Sequence, residues 1–470
     1  MNLISQYFII MRAIGDRHTK QKISSYVAVA KNTRPKKSTH NTMTGKKHLK
    51  TSISIITQFY PPDYAATGQF VYDLAGALVQ EGFDISVFTG MPGYAFRETN
   101  AKHEEIDNGV SVRRTGAVHL MPKRIRNRLF GSILFLIRCV IKFRHKAIRG
   151  SHLVLTSAPP FLGLIGWFYN KIFGHTYSCI IYDIYPEVAV RLKVVAPNHW
   201  IVRFWEFVNL KVWSRAESLI VLSEPMKQLL VRKNKNLADK IHVIHSWADP
   251  KFIRPLAKSE NWFAKQYGLT DCFVVLYSGN LGRCHDSQTI LKCAQLLNDR
   301  TDIKFVFIGN GVGSEIIKSA IASGDLSNVL QLPYQDKEVL PFSLTACDLS
   351  LVSILPNVGD TIAPSKMYGI LASAQPVAAI CPEGNYLREI VNEGNCGECF
   401  DNGDAQGLAD YICWLVLHPH IQEKLGKNAR RLLELHYTVD KAVPKYIQAL
   451  GLKDKCSLPI DQDHRIFCEN

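Results

Sequence analysis

The chain has no HExxH pair, no Walker lysine loop and no kinase motif set. Zinc metalloproteases, P-loop nucleotidases and protein kinases are therefore set aside. Long apolar runs are also missing. The longest basic-flanked one, Leu129 to Ile141, is interrupted by Arg138 and is too short to span a bilayer. Tyr7–Met11 is too short for the core of a signal peptide. Paired cysteine motifs are absent as well. The 12 cysteines are scattered through mostly apolar segments, and the one CxxC spacing, Cys396–Cys399, has no second pair. That pattern indicates reduced, buried thiols rather than a disulfide framework, and it gives no reason to expect a metal. Acidic residues are scarce at the start, where Asp16 is the only acid in residues 1–50. No aromatic and basic motif set accompanies the excess charge, so nucleic acid is not the expected partner.

What is present is enough apolar material for two cores. The chain has 470 residues, 47% of them hydrophobic, and a net charge of +15. Such charge suits anionic small molecules or an anionic membrane surface. Residues 1–50 read as a basic, unstructured arm. Met43 stands just before the first strand, and a start there would leave a short basic lead. Strand and helix patterns then alternate, which predicts an α/β protein with two doubly wound domains facing across a cleft. The expected boundaries are 51–250, 251–450 and a polar tail, 451–470.

In the first half, Ser52–Thr57 predicts a buried strand, a loop containing Gly68 leads into a helix from Gln69 to Glu81, and Asp84–Gly90 predicts the next strand. Together these form a right-handed βαβ unit. Further strands are expected at His152–Thr156, Ser178–Tyr182 and Ser218–Ser223, with Phe161–Phe173 as a crossover helix. Asp183-Ile184-Tyr185-Pro186-Glu187 follows one of these strands. Its two carboxylates can face the cleft to bind hydroxyls or act as a base, or serve only as turn and capping residues. Residues 122–149 join an apolar run to basic flanks. This stretch reads either as a helix on an anionic membrane surface or as a basic-edged helix packed on its own domain.

The second half presents three edges suited to phosphate. Gly279-Asn280-Leu281-Gly282-Arg283 follows the strand Phe273–Ser278, and Gly309-Asn310-Gly311 follows Lys304–Ile308. Ala363-Pro364-Ser365-Lys366 opens a short helix before a strand at Pro376. Glycine lets a backbone approach a ligand closely, and Arg283 and Lys366 can neutralise a diphosphate. His285, two residues beyond Arg283, is a further phosphate or sugar contact. Strands are also expected at Val329–Leu332, Leu349–Val352 and Pro376–Ile380.

In order and spacing these motifs resemble the retaining family 4 glycosyltransferases of GT-B fold, in the branch that builds capsules, O-antigens and exopolysaccharides such as colanic acid. The resemblance covers about residues 51 to 445. It rests on Gln58-Phe59-Tyr60-Pro61-Pro62 with Gly68, on Asp183–Glu187, on Tyr277–Arg283, on Ile308–Gly311, on Leu332-Pro333-Tyr334 with Ala346-Cys347-Asp348, and on Pro364-Ser365-Lys366 with Pro376-Val377. It implies a nucleotide-sugar donor held by the second domain and an acceptor held by the first. Transfer would retain configuration and use no bound metal or other cofactor. Gly68 would lie near the donor phosphates, Arg283 and Lys366 would be the diphosphate cations, and Asp183 and Glu187 would lie on the acceptor side. Gly279, Asn280, Gly282, His285, Gly309, Gly311, Thr361 and Ser365 complete the expected donor site. Thr361 and Gly369 stand where many relatives have a pair of glutamates, and Asn280 and His285 stand where many have arginine and lysine. The expected acceptor is a saccharide on a polyprenyl diphosphate, met at the cytoplasmic face of the plasma membrane. A nucleotide-sugar 2-epimerase and a non-catalytic sugar-nucleotide-binding protein share the architecture and remain alternatives.

Overall fold

The computed structural model describes residues 51–63, 65–92, 101–115, 134–140, 150–324 and 326–452. The N-terminal arm, most of 122–149 and the polar tail lie outside the described residues.

Two sheets organise the chain. The first has the order β3-β4-β2-β1-β5-β6-β7-β8. Its strands are β1 (Ser52–Ile56), β2 (Asp84–Gly90), β3 (Glu104–Asp107), β4 (Val110–Thr115), β5 (His152–Thr156), β6 (Tyr177–Ile181), β7 (Leu219–Val221) and β8 (Ile241–Val243). The second has the order β11-β10-β9-β12-β13-β14. It comprises β9 (Phe273–Ser278), β10 (Ile303–Ile308), β11 (Val329–Leu332), β12 (Leu349–Ser353), β13 (Val377–Ile380) and β14 (Gly397–Phe400). Every pairing is parallel except β3 with β4. Central strands such as β5, β6 and β12 are buried at every position, as parallel strands covered on both faces must be.

The expected strands are present, within a residue or two at their ends. Sequence reading missed β3, β4, β8 and β14. The β3–β4 hairpin had a usable signal in Asn108-Gly109, whose φ angles of 47° and 81° suit the two-residue turn between Asp107 and Val110. β8 spans 3 residues and β14 spans 4, and such short runs lack a clear period.

In chain order the described helices are α1 (Ala66–Gln80), α2 (134–140), α3 (Gly163–Phe173), α4 (Glu187–Arg191), α5 (Trp200–Arg215), α6 (Glu224–Lys233) and α7 (Trp262–Gln266). They continue with α8 (Ser287–Leu296), α9 (Val312–Ala322), α10 (Leu340–Leu344) and α11 (Lys366–Ala372). The last four are α12 (Tyr386–Gly394), α13 (Ala405–Leu417), α14 (Pro419–His436) and α15 (Val439–Ala449). Side-chain caps start several of them. Asp286 accepts from the Thr289 N–H at 3.0 Å, and Asn261 and Asn385 do the same for α7 and α12. Among the described residues no helix is long and apolar enough to cross a membrane.

The crossovers sort the helices of the first domain. From β4 to β5, β6 and β7 the chain steps one way across the sheet, so right-handed connections place α2, α3 and α5 on one face. The step from β1 to β2 runs the other way and places α1 on the opposite face. α15 packs against α1 there. Trp247 lies between them, with ring centroids 5.3 Å from Phe70 and 6.0 Å from Tyr446. The last described helix thus completes the first core, although its residues fall in the range expected for the second domain.

Several links join the domains on one side. Asp183 bridges Ile362 as an isolated antiparallel pair, and the Ile184 N–H donates to the Thr361 carbonyl at 2.9 Å. Asp360 accepts from Arg191 and, at 3.0 Å, from Arg232. Val188 of α4 is buried in the core of the second domain. Farther along, Lys337 donates to Gln69 at 2.6 Å.

Tyr446 tests the role of the last helix. It is buried in the first core, so Tyr446→Ala should lower stability by about 3–5 kcal/mol. Thermal unfolding should show the loss as a lower melting temperature, despite the distance of Tyr446 in sequence from the rest of that core.

Candidate active site

Both sheets reverse their winding at a central strand, β1 in the first and β9 in the second. Ligands of open α/β sheets bind beyond the carboxyl ends of strands at such points. The loops after β9 and β10 are sewn together there by backbone bonds. The Gly279 N–H donates to Ile308 at 2.8 Å, Leu281 to Asn310 at 2.9 Å and Gly313 to Leu281 at 2.9 Å. This contact explains the glycines at Gly309 and Gly311. A Cβ on Gly309 would lie 2.3 Å from the Gly279 carbonyl oxygen, and one on Gly311 would lie 2.4 Å from that of Leu281. Their φ angles, 129° and 137°, also favour glycine. Their direct structural task is to seat one loop on the other.

Lys366 opens α11 and reaches back to this loop. Its ammonium donates to the Tyr277 hydroxyl and, at 3.3 Å, to the Asn280 carbonyl. It also lies 3.8 Å from the centroid of the Tyr277 ring. Desolvation holds its pKa well below the usual lysine value. Lys366 is therefore seated against the loop rather than free on the surface, and a bound anion would favour its charged form. Tyr277, buried at the end of β9, is a site residue that sequence reading missed. Ser365 stands at the N-cap of α11 without capping a backbone N–H through its side chain.

His285 donates from Nδ1 to the Ser353 carbonyl at 2.7 Å. Burial and the neighbouring Lys366 push its pKa down to about 3. The ring is therefore neutral, with Nε2 an acceptor, and it adds no positive charge for a diphosphate. Asn280 and Arg283 are exposed on the loop, with Gly282 between them. Of the expected second-domain residues, the fold thus gathers Gly279, Asn280, Gly282, Arg283, His285, Gly309, Gly311, Ser365 and Lys366 at one sheet edge.

On the facing domain, Asp183 follows β6. Its N–H and that of Tyr182 approach the Ser157 hydroxyl at 3.4 and 3.0 Å. Asp183 is exposed towards solvent, yet desolvation by the surrounding protein raises its pKa to about 6. Its charge also reaches the Cys284 thiol, which burial and then Asp183 push up to about 11. Asp183 consequently faces the 279–285 loop. It lines a cavity with Phe161, Tyr185, Trp205 and Asn209. The Tyr185 and Trp205 rings stack there at 5.6 Å and 11°.

Three expectations need correction. Glu187 does not join Asp183. It is buried at the start of α4, forms an ion pair with Lys233 and lines a separate cavity with Glu206. Thr361 is fully buried, and its hydroxyl donates to the Val358 carbonyl at 2.7 Å. Its carbonyl holds Ile184, so its observed role is in the domain seam. Gly68 lies in the first turn of α1 rather than in a loop. A Cβ there would come within 2.9 Å of the Phe59 backbone. The 122–149 stretch is described only at α2, where Phe135 and Cys139 are buried in the first core.

Comparison with known proteins agrees with this architecture. The model for Glycosyltransferase Family 4 matches residues 67–252, and that for Glycosyl transferases group 1 matches 259–432. The probable glycosyltransferase WbjE of Pseudomonas aeruginosa is 25% identical over 339 residues, 69% of this chain and 81% of its own. The putative colanic acid biosynthesis glycosyl transferase WcaI of Escherichia coli K12 is 31% identical over 99 residues, 21% of this chain and 24% of its own. Anabaena HepE in complex with UDP-glucose superposes with a TM-score of 0.63 at 15% identity, covering 86% of this chain and 100% of that one. The chain thus carries glycosyltransferase domains, one matching Family 4 and one matching group 1, with the two parallel-sheet α/β domains of the GT-B fold.

Proposed function

We propose that the protein moves a sugar from a nucleotide-sugar donor to a saccharide carried on a polyprenyl diphosphate, with retention of configuration, in cell-surface polysaccharide biosynthesis. The reaction would take place at the cytoplasmic face of the plasma membrane. The observation behind this reading is the desolvated Lys366, fixed by Tyr277 and Asn280 on the loop that carries Arg283, with Asp183 of the other domain near Cys284 of the same loop. HepE, of the same fold, is seen with UDP-glucose, and WcaI is named for colanic acid biosynthesis. The diphosphate lies between the 279–283 loop and Lys366, where the two cations rather than a metal ion neutralise the departing nucleotide. Asp183 holds the acceptor hydroxyl, and the leaving phosphate takes its proton. The deciding experiment measures nucleotide release from UDP-, GDP- and ADP-sugars, with and without a lipid extract containing polyprenyl-diphosphate saccharides. Release from one donor that rises with the extract supports transfer. Donor binding without release, in an extract verified to hold the acceptor, favours the non-catalytic reading.

Two predictions follow from the site. Lys366→Ala and Arg283→Ala should each reduce turnover by about 10–1000-fold, as loss of one preorganised charge-stabilising donor does. Unchanged turnover in both would remove the diphosphate from this edge. Activity should also fall on the acid side near pH 6, as Asp183 takes up a proton, and Asp183→Asn should lower activity and flatten that limb in a pH–rate profile. His285, neutral from about pH 3 upward, should add no limb in that range. The stability effect has the opposite sign. The unfolded chain releases the Asp183 proton near 3.8 and the folded one near 6, so ionisation opposes folding as pH rises through that window. Asp183→Asn should therefore melt no lower than the parent at neutral pH, which separates lost chemistry from lost fold.

A further inference from the structure

α3 and α5 show an outward face that core packing does not explain. α5 buries Val202, Val208 and Val212 on one side and presents Trp200, Phe204 and Phe207 on the other. Trp200 is 70% exposed and Phe207 58%. α3 adds Phe168, Ile172 and Phe173, the last 60% exposed. The two helices touch directly. Arg215 donates to Asn170 at 2.9 Å, and a Cβ on Gly163 would meet Val212 at 2.6 Å. α2 lies on the same side of the sheet, tied by Tyr169, which donates to the Val140 carbonyl at 3.3 Å, and it exposes Ile137 and Val140. Exposed aromatic residues on neighbouring helices form a patch that a solitary soluble surface rarely shows.

The charges on this face are of one sign. Lys171, Arg203, Lys211 and Arg215 sit among the aromatic rings and are exposed. Lys171 and Lys211 lie over Trp167 and Phe207, at 5.2 and 5.4 Å. The one acid on α3 or α5, Glu206, is matched by Lys233 at 2.8 Å beside the second cavity. Apolar rings set among unopposed cations suit the interface of an anionic bilayer, where rings enter the acyl boundary and lysines meet headgroups. Such a face offers no acid to complement those cations on a second copy of itself.

The face is also continuous with the Asp183 cavity. From Phe204 the ring centroids run 6.2 Å to Phe161, 4.8 Å from Phe161 to Trp205 and 5.6 Å from Trp205 to Tyr185. Phe161, Tyr185 and Trp205 line the cavity that contains Asp183.

We propose that the outward face of α3 and α5 docks the enzyme on an anionic lipid bilayer, with the Asp183 cavity opening beside the membrane. This deepens the reading of a lipid-linked acceptor and rests on it only for the purpose of docking. The docking itself needs neither donor nor acceptor. It is distinct from the basic stretch 122–149, of which only α2 is described.

The test is co-sedimentation of the full chain with vesicles of phosphatidylglycerol or of phosphatidylcholine, without nucleotide-sugar. The protein should bind the anionic vesicles and do so less well at high salt. The Phe173→Ser/Trp200→Ser/Phe207→Ser variant alters only exposed positions and should bind at least about tenfold more weakly while melting as the parent does. Lys171→Glu/Lys211→Glu should weaken binding to phosphatidylglycerol and leave phosphatidylcholine unaffected. The proposal is overturned if the parent binds neither vesicle, or if the triple-serine variant binds as tightly as the parent. It is equally overturned if the parent is a dimer that the triple-serine change splits without altering lipid binding. Because no donor is present, a failed transfer assay leaves this result standing, and failed docking leaves the transfer reaction standing.

Discussion

The seam between Ile184 and Thr361 fixes what the two domains can do to each other. Each domain builds its half of the site at strand ends, but strand ends on separate sheets have no inherent register. One backbone hydrogen bond and one isolated bridge set Asp183 against the 279–285 loop. Asp360 strengthens the same seam by meeting Arg191 and Arg232, both from the first domain. Charge-assisted pairs to a shared carboxylate are directional, so they restrict rotation as well as separation. The position of Thr361, fully buried, follows from this: a residue whose carbonyl holds the opposite domain has little freedom to turn towards a ligand.

Within the second domain, rigidity comes from backbone rather than side chains. Gly309 and Gly311 let the loop after β9 lie on the loop after β10 at distances that any Cβ would block. The loop is then fixed by N–H to carbonyl bonds before any ligand arrives. Lys366 meets it from α11 and gives up hydration to do so. A desolvated ammonium beside a preset loop gains more from an arriving anion than a hydrated one would, since its solvation has already been lost.

The sequence was most informative where physics is local. Runs such as Phe273–Ser278 and Ile303–Ile308 are strands because β-branched and aromatic residues fill both faces of a covered sheet. The gathering of Lys366, Arg283 and the glycine loops at one edge was also legible, because each follows a strand of one sheet. The direction of a side chain was not. Asp183 and Glu187 are four residues apart, and nothing in their spacing says that Lys233, from another helix, claims Glu187. Likewise, Thr361 could not be told from a ligand contact without the chain that crosses to meet it. Tyr277 looked like one more strand residue, because its role arises only when Lys366 returns from 89 positions later. The path of α15 back to the first core is a contact between distant segments of the same kind.

That return path also sets the two faces of the first sheet apart. On one, α1 would leave Phe70 and Trp247 open, and α15 closes over them with Tyr446. The chain therefore has a means of covering an apolar layer, and it uses it. On the other face, α3 and α5 keep Phe173, Trp200 and Phe207 outward among lysines and arginines. Aromatic rings with nearby cations keep that layer tolerable in water and favourable at a headgroup boundary. The right-handed crossover rule decides which helices share each layer, so the uncovered face and the Asp183 cavity come to the same side through topology. An acceptor with a saccharide at one end and a hydrocarbon chain at the other has its two parts at that same boundary. A cavity opening beside such a face would receive the saccharide without drawing the hydrocarbon into water.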